Sequence, residues 1–258
     1  MFGFFQNKPL LDEESIQWMF DCFAWALRNF DAKVFFTETT LVTPTNDCFP
    51  GEEDSELVKA NLILQQVKRH AGMANWPVYL AGQQDYETAI PRLSFAEAAR
   101  GQHALAPVAK ESNVSLPVTY QPELLPNPQA LIANYAQLLA HYLGGSAREL
   151  PPGGAENWPH LTELLGVYLG FGLMFANTAY HVRVSSCGSC QGPAAERENY
   201  LSQFDITYAL ALFSVLKQIP NHEVLKYLKK TLRPFYKKAV KDVSGHKAEL
   251  ARLKEFQS

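Results

Sequence analysis

The sequence predicts one helix-rich α+β domain with a small mixed sheet near the N-terminal half. Apolar residues recur at helical spacing through several long stretches, while apolar–polar alternation is confined to short runs before Gln121. Nothing in the 258 residues is long or polar enough for an interdomain linker, so 1–258 reads as a single unit with a basic helical end at about 217–258. With 47% hydrophobic and 19% charged residues, the chain can bury a core, which excludes a disordered class.

The first helix is expected at about 13–30. Asp12 is a good N-cap, acids fill the first turn, and Ile16, Phe20, Phe23, Leu27 and Phe30 share one face. Residues 34–36 and 41–43 read as a short strand region, and 44–51 as turns. A helix follows at about 55–71, then a strand at 77–81, a short helix near 95–100 and an edge strand at 114–120, where Pro117 suits an edge. Asn127 and Pro128 open a helix that Gly144 and Gly145 close. A second apolar helix is expected at about 159–180. The last third reads as helices at about 201–218 and 222–240 with a polar helical tail.

The N-terminal residues lack a basic stretch followed by an apolar one, so no secretory signal is expected, the chain is assigned to the cytoplasm, and its four cysteines are expected as reduced thiols. The apolar run at 161–180 is nearly long enough to span a bilayer, but Glu163, Asn177 and three glycines favour a buried core helix and no membrane association. Gly166, Gly170 and Gly172 lie inside that helix and point to close packing rather than to a nucleotide loop. From Lys217 onward there are eleven Lys/Arg against four Asp/Glu, a local +7 that leaves the first 216 residues at −10. Solvated helices explain this block, and nucleic acid is the less favoured partner, because no aromatic residues on strands interleave with the charges.

Residues 130–143 and 159–172 carry a resemblance. The first segment, preceded by an extended strand, is similar to the zinc-binding helix of gluzincin-type metallopeptidases. The second, Pro159-His-Leu-Thr-Glu-Leu-Leu-Gly-Val-Tyr-Leu-Gly-Phe-Gly, resembles the third-ligand helix of a little-studied bacterial group of zincin-like proteins. The loop from Pro44 to Pro50 and the run after Tyr200 resemble the same group. The resemblance implies a zincin-like architecture in which the His-Glu-x-x-His positions fall on Gln137, Leu138 and His141, the third ligand on Pro159 and the orienting acid on Glu163.

These positions are degenerate. Of the three ligands only His141 remains, and Leu138 cannot act as general base for a metal-bound water. The expected function is therefore that of a non-catalytic binding or scaffold protein for an unknown macromolecular partner. An extended peptide could add to the edge strand near 114–120. The alternative is a metal-dependent hydrolase with a rewired site at His141, His160 and Glu163. Cys187-Gly-Ser-Cys190 leaves three readings open: plain thiols, half a metal clip, or a redox pair. No cofactor is expected, and zinc is the one ion these residues could hold.

Overall fold

The computed structural model describes residues 10–51, 53–82, 93–95, 98–109, 115–179 and 200–257. The readings placed on Val114, Cys187 and Cys190 lie outside them. The architecture is helix-rich, with two small strand pairs in the N-terminal half.

The most apolar stretch forms the centre. Helix α5 (Trp158–Gly166) passes through a π turn at Val167–Phe171 into α6 (Gly172–Thr178). Residues 161–179 are all buried. The stretch Ala155–Thr178 is long and apolar enough to cross a membrane, and its apolar window lies wholly inside the protein. The break in the helix has a specific cause. Gly170 takes a φ of +99°, and a Cβ there would stand 2.2 Å from the Thr40 carbonyl oxygen. Val42 N–H donates to the Gly170 carbonyl at 3.0 Å, so segment 39–42 crosses the core backbone to backbone.

Around this centre pack α1 (Glu13–Asn29), α4 (Pro128–Gly145) and α7 (Gln203–Leu216). Helix α1 forms as its sequence dictates: Asp12 accepts from Ser15 N–H at 2.7 Å, and Phe20, Phe23 and Leu27 are buried on one face. Helix α3 (Glu56–His70) leans on α4, α9 (Arg233–Gly245) on α7, and α10 (Lys247–Lys254) on α1. The described core residues of all these helices form one continuous cluster. Strand β1 (Val78–Ala81) pairs in parallel with β4 (Leu116–Thr119), and β2 (Leu93–Ser94) pairs antiparallel with β3 (Val108–Ala109). The expected mixed sheet is thus two separate pairs.

Three expectations are corrected. Residues 34–36 belong to a short helix, α2 (Ala32–Thr37), which buries Phe35 against Phe23, Tyr168 and Phe213. Residues 41–43 are extended but pair with no strand among the described residues. The helix expected at 95–100 does not form over 98–100. There Arg100 instead turns inward, 1% exposed, donating to Phe30 O at 3.3 Å and Thr39 Oγ1 at 2.9 Å, with its cation over the Tyr168 ring. The helix expected at 222–240 splits into α8 (Asn221–Tyr227) and α9, because Pro234 has no N–H and its ring would strike the carbonyl four residues earlier.

A Gly170→Ala substitution combines a left-handed backbone cost of ~1–2 kcal/mol with backbone overlap worth ~1–3 kcal/mol. It is expected to lower unfolding stability by about 3 kcal/mol in urea titration. Gly172→Ala has ordinary helical dihedrals and meets side-chain atoms, the nearest a Leu210 methyl carbon at 2.9 Å. It is expected to stay within about 1 kcal/mol of the parent, since the gain in helix propensity offsets the shift.

Candidate functional site

The two helices of the resemblance do meet. Helix α4 brings His141 to the first residue of α5, where Trp158 Nε1–H donates to His141 Nδ1 at 3.0 Å and the rings meet at 69°. An indole N–H is a donor only, so Nδ1 of His141 accepts and the ring proton sits on Nε2. Neither nitrogen then offers a lone pair. Burial also depresses the His141 pKa, which favours this neutral form.

The other positions have separate occupations. Glu163 is fully buried and accepts the Leu201 N–H at 2.7 Å, tying α5 to the chain just before α7. The His160 ring meets Tyr200 at 5.9 Å, and its buried Nδ1 has no hydrogen-bond partner among the described residues. Leu138 packs against the core, Pro159 sits in the first turn of α5, and Gln137 is half-buried one turn before His141.

The zinc expectation is therefore corrected. Among the described residues no three His, Cys, Asp or Glu side chains come together to hold a metal ion. His141 is engaged by Trp158 and Glu163 by a backbone amide, so the rewired site does not converge. Of the described cysteines, Cys22 is buried with its thiol pKa pushed up by desolvation, and Cys48 is half-buried.

The edge strand is also less open than expected. Pro117 has no N–H to offer an incoming strand, and its carbonyl already accepts from Tyr142 Oη–H at 2.7 Å. Addition of a peptide to β4 is interrupted at its second residue.

A groove elsewhere is better formed. It has a volume of about 500 Å³ and lies between the loop 44–54, the outer face of α3 and the first turns of α4. Phe49, Leu62, Ile63 and Ile132 form its apolar wall; Lys59, Gln66, Gln129, Glu53 and Asp54 supply polar groups. Its parts are held in place. The loop is folded by Phe49 N–H donating to Thr45 O at 2.9 Å, and His70 Nε2 holds the Cys48 carbonyl at 2.9 Å. Gln129 is oriented by Asn177 Nδ2, which donates to its Oε1 at 2.8 Å. Gln66 Oε1 is buried without a partner among the described residues. Ile132 and His141 are nine residues apart on α4, two and a half turns, so the groove and His141 lie on opposite faces of the helix. Sequence reading marked the loop only through its resemblance; α3 and α4 carried no signal that they would frame a cavity.

No family model, curated protein or solved structure matches the chain. The reading of the site rests on its own geometry.

The neutral His141 gives a pH dependence of defined sign. Its folded pKa lies below the ordinary 6.5, so on acidification the unfolded chain takes up the proton first. The stability it contributes is complete above about 6.5 and is lost as pH falls through the depressed folded value. His70, also depressed by burial, adds a loss of the same sign. Urea midpoints measured at pH 7 and at about pH 5 should fall in the parent and fall less in His141→Phe. An equal fall in both would show that His141 is not the titrating group.

Proposed function

We propose that this chain is a non-catalytic cytoplasmic binding protein on a zincin-like scaffold, and that it takes a short extended peptide in the groove framed by residues 44–54, α3 and α4. Support for the scaffold comes from the order of elements. Strand β4 leads through one short turn into α4, and α4 packs on α5 with His141 against Trp158, the two-helix arrangement that the resemblance implies. Support for a binding role without catalysis comes from the chemistry that is missing: Leu138 can take no proton, and His141 and Glu163 are engaged in holding helices together.

The observation that carries the proposal is the groove. Its volume of about 500 Å³ suits a bound ligand, and it combines an apolar wall with a few fixed polar groups. Amide side chains such as Gln66 and Gln129 match the alternating donors and acceptors of a peptide backbone. Leu62, Ile63 and Ile132 offer apolar side-chain sites. The interrupted ladder at Pro117 favours this groove over β4 as the seat of the peptide.

Selection of peptides from a displayed random library on the intact protein should enrich sequences with apolar side chains. Filling the groove with Leu62→Trp should weaken the selected peptides by about tenfold or more, ~1.4 kcal/mol, with the circular dichroism spectrum unchanged. Thr119→Pro, on the outer part of β4, should leave binding as it was. Selected peptides that bind Leu62→Trp as well as the parent would refute the groove, and loss of binding in Thr119→Pro would return the site to the strand.

A further inference from the structure

Between residues 224 and 241 the chain carries seven Lys/Arg and no Asp or Glu. The structure shows where those charges go. Helix α9 buries Tyr236, Ala239 and Val243 against α7, and its opposite face presents Lys237, Lys238 and Lys241 to solvent. Lys226 and Lys230, just before it, are exposed as well. None of these five lysines forms an ion pair among the described residues. The acids of α9 and α10 are already engaged, and Glu223, exposed in the first turn of α8, forms no ion pair with these lysines among the described residues. Asp242 accepts from Tyr208 Oη–H at 2.7 Å and faces His246 at 3.4 Å, and Glu249 pairs with Arg252. Arg233 turns inward onto the carbonyls of Leu228 and Lys226. What remains outward is a cluster of five lysines that form no ion pair among the described residues.

We propose that this face docks the phosphate backbone of duplex nucleic acid without reading its sequence. Three observations select that partner. Helix α9 presents Lys237, Lys238 and Lys241 within ~6 Å along its axis, a concentrated cluster of positive charge to set against a duplex with one phosphate charge per ~1.7 Å of axis. Among the described residues, no large apolar side chain is exposed between 221 and 257, and the exposed Phe204 is packed on Phe235 of α9, so the face offers no apolar wedge of its own to a bilayer and no run of free rings to unpaired bases. The charges are lysines, which act as point charges and lack the planar fork that reads base edges. The first 216 residues carry −10, so a polyanion is repelled by the rest of the chain and approaches from this side. The groove takes no part in this inference.

The test is fluorescence anisotropy of the full chain with a labelled mixed-sequence DNA duplex across salt concentrations. Five phosphate contacts predict a slope of about −4.5 in log affinity against log salt, a loss of about 500-fold between ~50 and ~200 mM. The triple substitution K237Q/K238Q/K241Q removes exposed charge only. It should reduce the slope to about −1.8 without lowering the thermal midpoint and with the peptide binding of the groove unchanged. No duplex binding at the lowest salt overturns the proposal, as does binding that the triple variant leaves intact. Tighter binding to single strands, to polyglutamate or to phosphatidylserine vesicles than to the duplex would also overturn it.

Discussion

The crossing of segment 39–42 over Gly170 is the constraint on which the rest of the structure depends. Two backbones meet there with no side chain between them, which only a glycine at positive φ permits. The contact breaks the central helix and fixes the start of the loop that runs on to residue 54. Arg100 grips the same segment from the other side, through Thr39, and lies over Tyr168 of the π turn. A buried guanidinium and a glycine thus hold one short piece of chain against the core. The loop beyond it can be irregular and still present Phe49 and Pro50 to the groove in a fixed position, because it is anchored at its start on Gly170 and at Cys48, through His70, on the end of α3.

Much of this fold was legible in the sequence, and the failures have physical causes. Helices α1 and α3 carry a helical period, and α1, α4 and α7 open on side-chain caps at Asp12, Asn127 and Ser202, so local preference and burial agree there. The run at 34–36 is three apolar residues long, too short for any period, and its helix is set by Phe35 docking among rings from α1, the π turn and α7. The split between α8 and α9 was written in Pro234 and was read past because the spacing of apolar residues continues through it. The glycines of the core helix did announce close packing. Which segment they would meet, 130 residues earlier for Gly170 and Thr40, they could not announce.

The candidate site was legible as positions but not as geometry. Reading Gln137, Leu138 and Pro159 as degenerate follows from the zincin resemblance taken together with the chemistry of those residues. The roles of His141 and Glu163 depend on Trp158 and Leu201, which lie 17 and 38 residues away from them in the chain, and no local pattern links those pairs. Both residues carry a polar group in a mostly apolar setting, and each is held by a neutral N–H donor. A buried imidazole or carboxylate needs such a partner whether or not it ever held a metal, so its persistence in the sequence is not by itself a sign of catalysis.

The charge asymmetry of the chain resolves into two kinds of cation once the structure is considered. Where the C-terminal helices meet the N-terminal part, positive groups are engaged: Lys217 donates to the carbonyls of Phe35 and Phe36 at the end of α2, and Arg252 pairs with Asp21 of α1. Desolvation at that seam pushes the Lys217 pKa down to about 8, the mark of a cation held against protein and not against water. The lysines of α8 and α9 are exposed and have no such partner among the described residues. Mutual repulsion among like charges on one surface opposes folding, and the Tyr236, Ala239 and Val243 stripe against α7 holds α9 in place despite it. A polyanion on that face would relieve the repulsion, so binding there and the stability of α9 should be coupled, with each phosphate contact also strengthening the packing of α9 on α7.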